Sequence, residues 1–419
     1  MNARTAEWPA GEVSTIGAVG VAHFCSHLLQ LALAPLFLMM RADLGVSFFA
    51  LGAVLSVFYL FSGVGQVTAG ILVDRFGAHR LLLGGVLLQG TATAAMGLAP
   101  HYVVLLPLAA LAGLGNSVYH PADLSILSHK VAPARLGRAF AAHVIAGSIG
   151  FALSPLVSAA IAEAHGWRTA LGAMGLGVVV LGLVLFACRK ALKVEPAHAA
   201  AHDAPHDTPH DRPDGTPPGA KAAHGPAPTF FQVLATPVVL MAFLYFVLTS
   251  ISLTGIQSFS IVALKEGFGA SVALATLAVT LYQCGNAAGV ALGGAVADRT
   301  AKHHIIAMGG LAVACALALL AAVLVVPPEA TVGLVALVGF AMGMTTPSRD
   351  VLVRSAAPAG ATGKVFGVVY SGYDIGALLG PLMFGLMLDH HLPRLVFVGA
   401  AIPLGLAVMT AFAVRRRPA

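Results

Sequence analysis

Long runs of apolar residues, separated by short polar connections, dominate the chain. A bilayer core about 30 Å thick is crossed by about 20 apolar residues in helical conformation. Twelve runs reach that length, and none shows the alternation of apolar and polar residues typical of membrane β-strands. They predict helices near 15–40, 48–73, 81–99, 102–127, 137–164, 169–188, 236–264, 271–297, 305–326, 331–356, 364–389 and 394–414.

The composition excludes a water-soluble fold. Hydrophobic residues occupy 58% of the 419 positions and charged residues only 10%, whereas soluble domains carry about 25% charged residues. The four cysteines lie in apolar runs, without the spacing of a metal site or of a disulfide framework. We therefore predict an all-α membrane protein with no cofactor and no metal site.

Lysine and arginine are concentrated on one side of the predicted helices. The C-terminal residues and the connections after even-numbered helices hold most of them. Because cytoplasmic loops carry the excess of these residues, both termini are predicted in the cytoplasm of an inner-membrane protein. The opposite connections hold only Arg41, Arg168, Lys265 and Arg394.

One long polar stretch, rich in Pro, Ala, His and Asp, interrupts the apolar pattern. It cannot bury enough apolar surface to fold, which predicts a disordered linker. The chain is thus divided into a cytoplasmic N-terminus 1–14, a six-helix bundle 15–188, the cytoplasmic linker 189–229, a second six-helix bundle 230–414 and a cytoplasmic tail 415–419.

Four histidines recur every fourth residue within the linker. Pro205 and Pro209 argue against the helix that would align them on one face. Metal binding by the linker therefore stays open. The four residues are His198, His202, His206 and His210.

The two bundles repeat each other. Segment 70–75 (GILVDR) recurs as 294–299 (GAVADR), 224 residues later, and Pro121, Gly150 and Pro155 each have a counterpart 226 residues later. A nearly constant offset at the same place in the helix order indicates duplication. Parallel six-helix repeats about an axis along the membrane normal are the build of one class of transporters.

The loop after the second helix resembles the signature loop of the major facilitator superfamily. Segment 113–121 (GLGNSVYHP), together with His23 and Phe24, resembles the fosmidomycin-resistance branch of its drug exporters. The resemblance implies two six-helix bundles related by a pseudo-twofold axis along the membrane normal, acting as a monomer. The loop and its weaker second copy are matched by Gly70, Asp74, Arg75, Gly77, Arg80, Asp298 and Arg299.

These loop residues are predicted to form a conformational latch. Asp74 and Asp298 can cap a helix N-terminus of the neighbouring bundle, while the arginines pair with acids around it. Such a latch must break when the halves rock, so it sets the balance between conformations.

Polar residues within the predicted helices are unevenly distributed. A charge at the bilayer centre costs about 2.5–3.5 kcal/mol, so it is expected to face protein or water. The third, sixth, ninth and twelfth helices carry no Asp, Glu, Lys, Arg or His in their interiors, and the resemblance places them at the lipid. The candidates for substrate or proton coupling are Asp374, His120, Asp123, Arg349, Asp350, His23, His27, Asn116, Tyr119, Tyr370, Tyr373, Gln257 and Gln283.

Two of the candidates are suited to proton coupling. Asp374, near the middle of the eleventh helix, is a carboxylate that can carry a proton, or else an acid hydrogen-bonded for packing. His120 precedes the kink expected at Pro121 and titrates in a useful range. Many proton antiporters of the superfamily carry a basic residue where this chain has Ala109, which excludes coupling through such an arginine.

Other candidates suggest a gate. Asp123 and Arg349 occupy equivalent positions of the repeat and could pair across the axis when the cytoplasmic side closes, local pairing within each half being the alternative. His23 and His27, one helical turn apart, could share one face of the cavity, or else pack against neighbouring helices.

The leading functional hypothesis is secondary active transport by alternating access, as proton-coupled efflux of a drug or metabolite. A proton symporter or facilitator that imports a small organic acid, with Arg349 as counter-ion, is the alternative, and a non-transporting membrane sensor is the second. The chain shows no phosphate-binding Gly-rich loop and no nucleophile constellation, which argues against an enzyme and against ATP-driven transport. The expected partners are a small solute, protons and the lipid bilayer, and no nucleic acid.

Overall fold

The fold is helical in the residues that the structure, a computed structural model, describes: 8–194, 236–323, 327–355 and 362–414. Most of the predicted linker, the whole predicted tail and residues 1–7 lie outside this set. The first half contains α1 (Ala10–Gln30), α2 (Phe37–Leu44), α3 (Phe48–Phe76), α4 (Ala78–Met96), α5 (Tyr102–Asn116), α6 (Tyr119–Lys130) and α7 (Pro133–Ala187). The second half contains α8 (Pro237–Thr254), α9 (Ser260–Phe268), α10 (Val272–Ala297), α11 (His303–Val323), α12 (Pro328–Ser355), α13 (Thr362–Asp389) and α14 (Leu395–Val414).

These helices make twelve membrane crossings, as predicted. Nine helical stretches of the described chain are long and apolar enough to cross a membrane. The longest, α7, contains two crossings, because its backbone leaves the helical conformation at Gly166 (φ 82°, ψ 161°). Helices α4 and α10, with 19 and 26 residues, complete the set.

Crossings one and seven are interrupted, although the sequence predicts each as a single helix, and crossing four is also divided, between α5 and α6. Crossing one passes from α1 through the short 3-10 turn Ala34–Leu36 into α2, where Pro35 cannot donate a backbone hydrogen bond. Crossing seven passes from α8 through the π-helical turn Gly255–Phe259 into α9. The interruptions of crossings one and seven meet between the halves, where the ring centroids of Phe37 and Phe259 lie 5.4 Å apart.

The helices run between two ends of the molecule. We call them the terminus end, where Glu12 pairs with Arg135 at 2.6 Å, and the far end, where Asp43 pairs with Arg168. The side of the membrane on which each end lies stays a prediction. The basic residues predicted to share the outer side all lie at the far end: Arg41, Arg168, Lys265 and Arg394.

The halves are joined at the far end by a carboxylate of one half that caps a helix of the other. Asp389, the last residue of α13, accepts hydrogen bonds from the backbone N–H groups of Phe48 (2.7 Å) and Phe49 (2.8 Å), which begin α3. A carboxylate in this position satisfies free N–H groups and interacts with the positive end of the helix dipole. Arg41 of the first half also pairs with Glu266 of the second at 3.5 Å.

Close contact between the halves continues inward along α3 and α13. A Cβ added at Gly52 would lie 2.3 Å from the carbonyl oxygen of Pro381, so this approach requires glycine. Halfway along the helices, a Cβ added at Gly63 would lie 3.1 Å from Cβ of Asp374.

On the terminus side of Asp374, polar side chains of both halves are accessible. The side chains of His120, Asp350 and Tyr370 lie on that side and are exposed or partly exposed. Since ionisable groups avoid hydrocarbon, these side chains mark a cavity open to water. The molecule is therefore closed at the far end and open at the terminus end.

Candidate transport site

Four histidines surround one aspartate inside the first half, in what we call the histidine cluster: His23, His27, His120, His143 and Asp123. His23 stacks on His143, with ring centroids 3.6 Å apart, and its centroid lies 4.4 Å from that of His27 and 5.2 Å from that of His120. The cluster joins α1, α6 and α7. Four of the predicted candidates, which stand about a hundred residues apart in two pairs, thus come together.

Asp123 lies at the centre of the histidine cluster and is fully buried. Its Oδ2 is 3.1 Å from Nε2 of His143 and 3.3 Å from Nδ1 of His23. The approach to His23 is not aligned for a hydrogen bond, and Oδ1 of Asp123 has no hydrogen-bond partner within the described residues. Asp123, His23 and His143 are therefore three buried groups that can bind protons or cations, in contact with one another.

Asn116 ties four crossings together beside this cluster. Its Oδ1 accepts hydrogen bonds from Ser26 (2.8 Å) and Gln89 (3.4 Å), and its Nδ2 donates to Ser62 (2.9 Å). Interhelical hydrogen bonds of this kind hold membrane helices together. The neighbouring Tyr119 is 1% exposed, so its side chain lies inside the first half, whereas Asn116 is half-buried.

Arg349 is held inside the second half by an acid and by aromatic rings. Its Nη1 donates to the hydroxyl of Tyr373 at 2.7 Å, and its Nε donates to Oδ1 of Asp350 at 2.9 Å. Its guanidinium carbon lies 4.6 Å from the ring centroid of Phe246, in cation–π geometry. Tyr370 donates to the same oxygen of Asp350 at 3.0 Å. These five residues form what we call the arginine cluster.

The predicted gate charges are each paired within their own half. Asp123 contacts two histidines, and Arg349 contacts Asp350. This is the local pairing that the sequence left as an alternative. A pair across the axis requires a closed terminus end, so in this open conformation the gate stays a prediction.

Asp374 stands apart from both clusters, at the level where the halves separate. A Cβ added at Gly63 of the opposite half would lie 3.4 Å from its Oδ2. Of the described residues, none forms an ion pair with this partly buried carboxylate. Its surroundings therefore depend on how the halves are arranged.

The two predicted glutamines bind each other. Gln257, in the π-helical turn of crossing seven, donates through Nε2 to Oε1 of Gln283 on α10 at 2.8 Å. Both side chains are buried. In this conformation they connect crossings seven and eight.

The residues of the first loop copy surround the junction of α3 and α4 at the terminus end, and Asp298 and Arg299 of the second copy follow the end of α10. Gly77 ends α3 with φ 87°, a backbone conformation that favours glycine. No ion pair joins Asp74 or Asp298 to another described residue, a set that leaves out residues 356–361 just before α13. The latch between the halves therefore stays a prediction. The exposed members of the two loop copies are Gly70, Asp74, Arg75, Arg80, Asp298 and Arg299.

Sequence reasoning assigned no role to three residues that the structure makes prominent. His143 completes the histidine cluster, Gly63 receives Asp374, and Asp389 caps a helix of the other half. A lone acid at the end of an apolar run was the available signal for Asp389. No local pattern marks the partner helix in any of the three cases.

Comparison with known proteins identifies a family and relatives that match most of the chain. The family described as Major Facilitator Superfamily matches residues 19–263 and 246–419. The fosmidomycin resistance protein of Escherichia coli (strain K12) is 26% identical over 409 residues, which cover 95% of this chain and 92% of that protein. The multidrug resistance protein B homolog of Mycobacterium tuberculosis is 31% identical over 122 residues, which cover 28% of this chain and 23% of that protein.

A solved structure shows the same fold. A bacterial homolog of the human lysosomal transporter Spinster, in an inward-facing and occupied conformation, superposes with a TM-score of 0.76. The match covers 98% of each chain at 15% sequence identity, so the likeness concerns the fold alone.

Proposed function

Because this chain belongs to the major facilitator superfamily, a family of transporters rather than enzymes, we propose that it exports a small solute in exchange for protons by alternating access. The solute enters the opening at the terminus end, and the halves rock about their contact along α3 and α13. Efflux is favoured because the relative that matches 95% of the chain is named for drug resistance.

The observation that carries the coupling is the position of Asp374. While the far end is closed, the carboxylate of Asp374 packs against Gly63 of the other half and has no cationic partner among the described residues. The charged form of a carboxylate is costly away from water. When the halves rock, this carboxylate exchanges a protein contact for water, so proton uptake and release accompany the motion.

The walls of the opening support a solute with both polar and apolar parts. His120 lies on the first half, and Tyr370 and Asp350 lie on the second. Imidazole, phenol and carboxylate groups supply hydrogen bonds, and the aromatic rings supply apolar area.

The test is proton movement in vesicles that contain the purified protein, with a pH-sensitive dye inside and an imposed pH gradient. Candidate solutes, including phosphonate antibiotics, are added to wild type and to Asp374→Asn, with a metal chelator present throughout. We expect solute to dissipate the gradient in the wild type but not in Asp374→Asn, while solute–solute exchange persists in the variant. Asp43→Asn, which changes an exposed acid at the far end, is the control and should behave like wild type.

Each contrary result identifies another mechanism. Equal solute movement by wild type and Asp374→Asn, without protons, would make the protein a facilitator with a structural Asp374. Protons that move in the same direction as the solute would indicate the importing alternative, with Arg349 as counter-ion. Solute binding without any movement would indicate a sensor.

A further inference from the structure

We propose that three residues of the histidine cluster bind one divalent first-row transition-metal ion, with zinc as the representative case. The ligands are Nδ1 of His23, Nε2 of His143 and the carboxylate of Asp123. This site goes beyond the proposed function, which routes protons through Asp374 and requires no metal. It also departs from the sequence analysis, which assigned no metal site to these residues.

The ligand atoms already lie at distances close to those around a single ion. The nearest candidate atoms of His23, Asp123 and His143 all lie within 4.8 Å of one another. Two of the separations, both from Oδ2 of Asp123, are 3.1 and 3.3 Å. In a tetrahedral zinc site with bonds of about 2.0–2.2 Å, adjacent ligand atoms lie about 3.3–3.5 Å apart. The third separation, between the two histidine nitrogens, is at most 4.8 Å, so binding requires these side chains to move closer together.

Two of the candidate ligand atoms lack a hydrogen-bond partner in the described chain. Oδ1 of Asp123 and Nδ1 of His23 are buried without a hydrogen-bond partner there. Buried polar atoms are nearly always paired, so each exception requires a reason, such as a bound ion. Nδ1 of His23 lies 3.3 Å from Oδ2 of Asp123 without hydrogen-bond alignment. Two ligands of one metal ion have this arrangement, because both point at the ion.

The charge and chemistry of the cluster suit a dication. The side chain of Asp123 has 0% exposure, and of the described lysines and arginines none forms an ion pair with it. Imidazole and carboxylate are ligand types that zinc and its neighbours accept. Three protein ligands leave a fourth position open, and the exposed His120 offers a first contact for an ion that enters from the opening.

All three ligands belong to one half of the molecule, on α1, α6 and α7. When the halves rock as rigid bodies, this ligand set stays intact. The ion is therefore a resident of the first half, where it ties three helices together, and is not the transported solute.

Metal binding to the purified full-length protein tests the site, with Zn²⁺ or Co²⁺ alone as the probe after chelation. To prevent metal binding by the linker histidines, every variant carries alanine at four positions: His198, His202, His206 and His210. Purification uses no histidine tag. Calorimetric titration counts the sites and measures Kd. The visible absorption of bound Co²⁺ reports ligation by protein side chains.

We expect one equivalent of metal to bind in the linker-substituted background. Asp123→Asn and His143→Gln, measured separately, should each weaken binding by more than about 100-fold, since loss of outer-shell partners alone costs about 10–100-fold. His165→Gln alters an exposed histidine of α7 that lies outside the cluster, and should leave Kd unchanged. Thermal unfolding without metal identifies any variant that is misfolded, and the other ligand variant then decides.

Two results would overturn the proposal. One is the loss of all metal binding in the linker-substituted background. The other is binding that survives both Asp123→Asn and His143→Gln. Neither measurement uses a solute or a pH gradient, so failure of the metal site leaves proton exchange through Asp374 untouched, and the reverse also holds.

Discussion

At the scale of single residues, Arg349 illustrates how a charge is kept inside a membrane protein. A charge at the bilayer centre costs about 2.5–3.5 kcal/mol on insertion scales. Tyr373 and Asp350 accept its hydrogen bonds, and Phe246 lies against its flat face. The cost of burial is therefore offset by specific partners, and the loss of one partner should be measurable.

Tyr373→Phe removes a hydroxyl that accepts a hydrogen bond from the buried guanidinium. We expect a loss of about 1–3 kcal/mol in stability, because a hydrogen bond to a charged group is lost and the donor stays buried. Tyr370→Phe is the matched control, since its hydroxyl contacts the more exposed Asp350. Thermal unfolding in detergent should rank Tyr373→Phe clearly below Tyr370→Phe, and equal values would contradict this role of Tyr373.

Gly63 matters because its missing side chain leaves room for Asp374. Gly63→Val places methyl groups where an added Cβ already lies 3.1 Å from Asp374. Overpacking of this kind costs about 1–3 kcal/mol, which should push the halves apart and favour opening of the far end. The alkylation rate of Ser56→Cys, which is buried between the halves, should rise in a background without the native cysteines. Gly177→Val, with open space at its Cβ, should leave that rate unchanged.

At the scale of secondary-structure elements, the far end is closed by the cap that Asp389 provides for α3. Both carboxylate oxygens are used, one for each of the first two backbone N–H groups of that helix. Because the cap and the helix belong to different halves, the interaction exists only while the far end is closed. It therefore stabilises one conformation relative to the other.

Asp389→Ala should shift this conformational balance toward an open far end. A helix cap contributes about 0.5–2 kcal/mol, which corresponds to about a 2–30-fold change in the equilibrium. The alkylation rate of Ser56→Cys should increase by a similar factor. Asp43→Ala removes another acid at the far end that pairs within the first half, and should have no such effect. A rate that is unchanged in Asp389→Ala would show that the cap does not control closure.

At the scale of the whole molecule, the two ends differ in charge and in contact. Basic residues are abundant in the connections at the terminus end and few at the far end. This asymmetry predicts a cytoplasmic terminus end, so that the opening seen in the structure faces the cytoplasm. The orientation can be measured independently of transport.

Two exposed alanines, one at each end, serve as labelling positions. Ala42→Cys at the far end should react with a membrane-impermeant thiol reagent in intact cells, and Ala134→Cys at the terminus end should react only after the cells are opened. Both are placed in a background without the native cysteines, so that reaction reports a single site. The opposite pattern would invert the topology and with it the proposed direction of transport.

The apolar runs and the internal repeat were sufficient to predict the twelve crossings and the two related halves. Both follow from local information: the length of an apolar run is matched to the bilayer, and a repeat offset is read directly along the chain. The interruptions of crossings one and seven were not predicted, because a single turn of 3-10 or π-helix leaves the apolar run unbroken.

The site was only partly readable from the sequence. Because the lipid-facing helices lack charged residues, the sequence indicates which crossings hold polar residues. It does not indicate which of these residues contact one another. His23, Asp123 and His143 converge because α1, α6 and α7 pack together, and Asn116 forms hydrogen bonds with Ser26 and Ser62 of neighbouring crossings. Asp374 against Gly63 and Asp389 on α3 are contacts between the halves, made in one conformation. These pairings are visible only in the folded protein, because packing between helices distant in sequence depends on shape and on conformational state, which no local pattern of residues encodes.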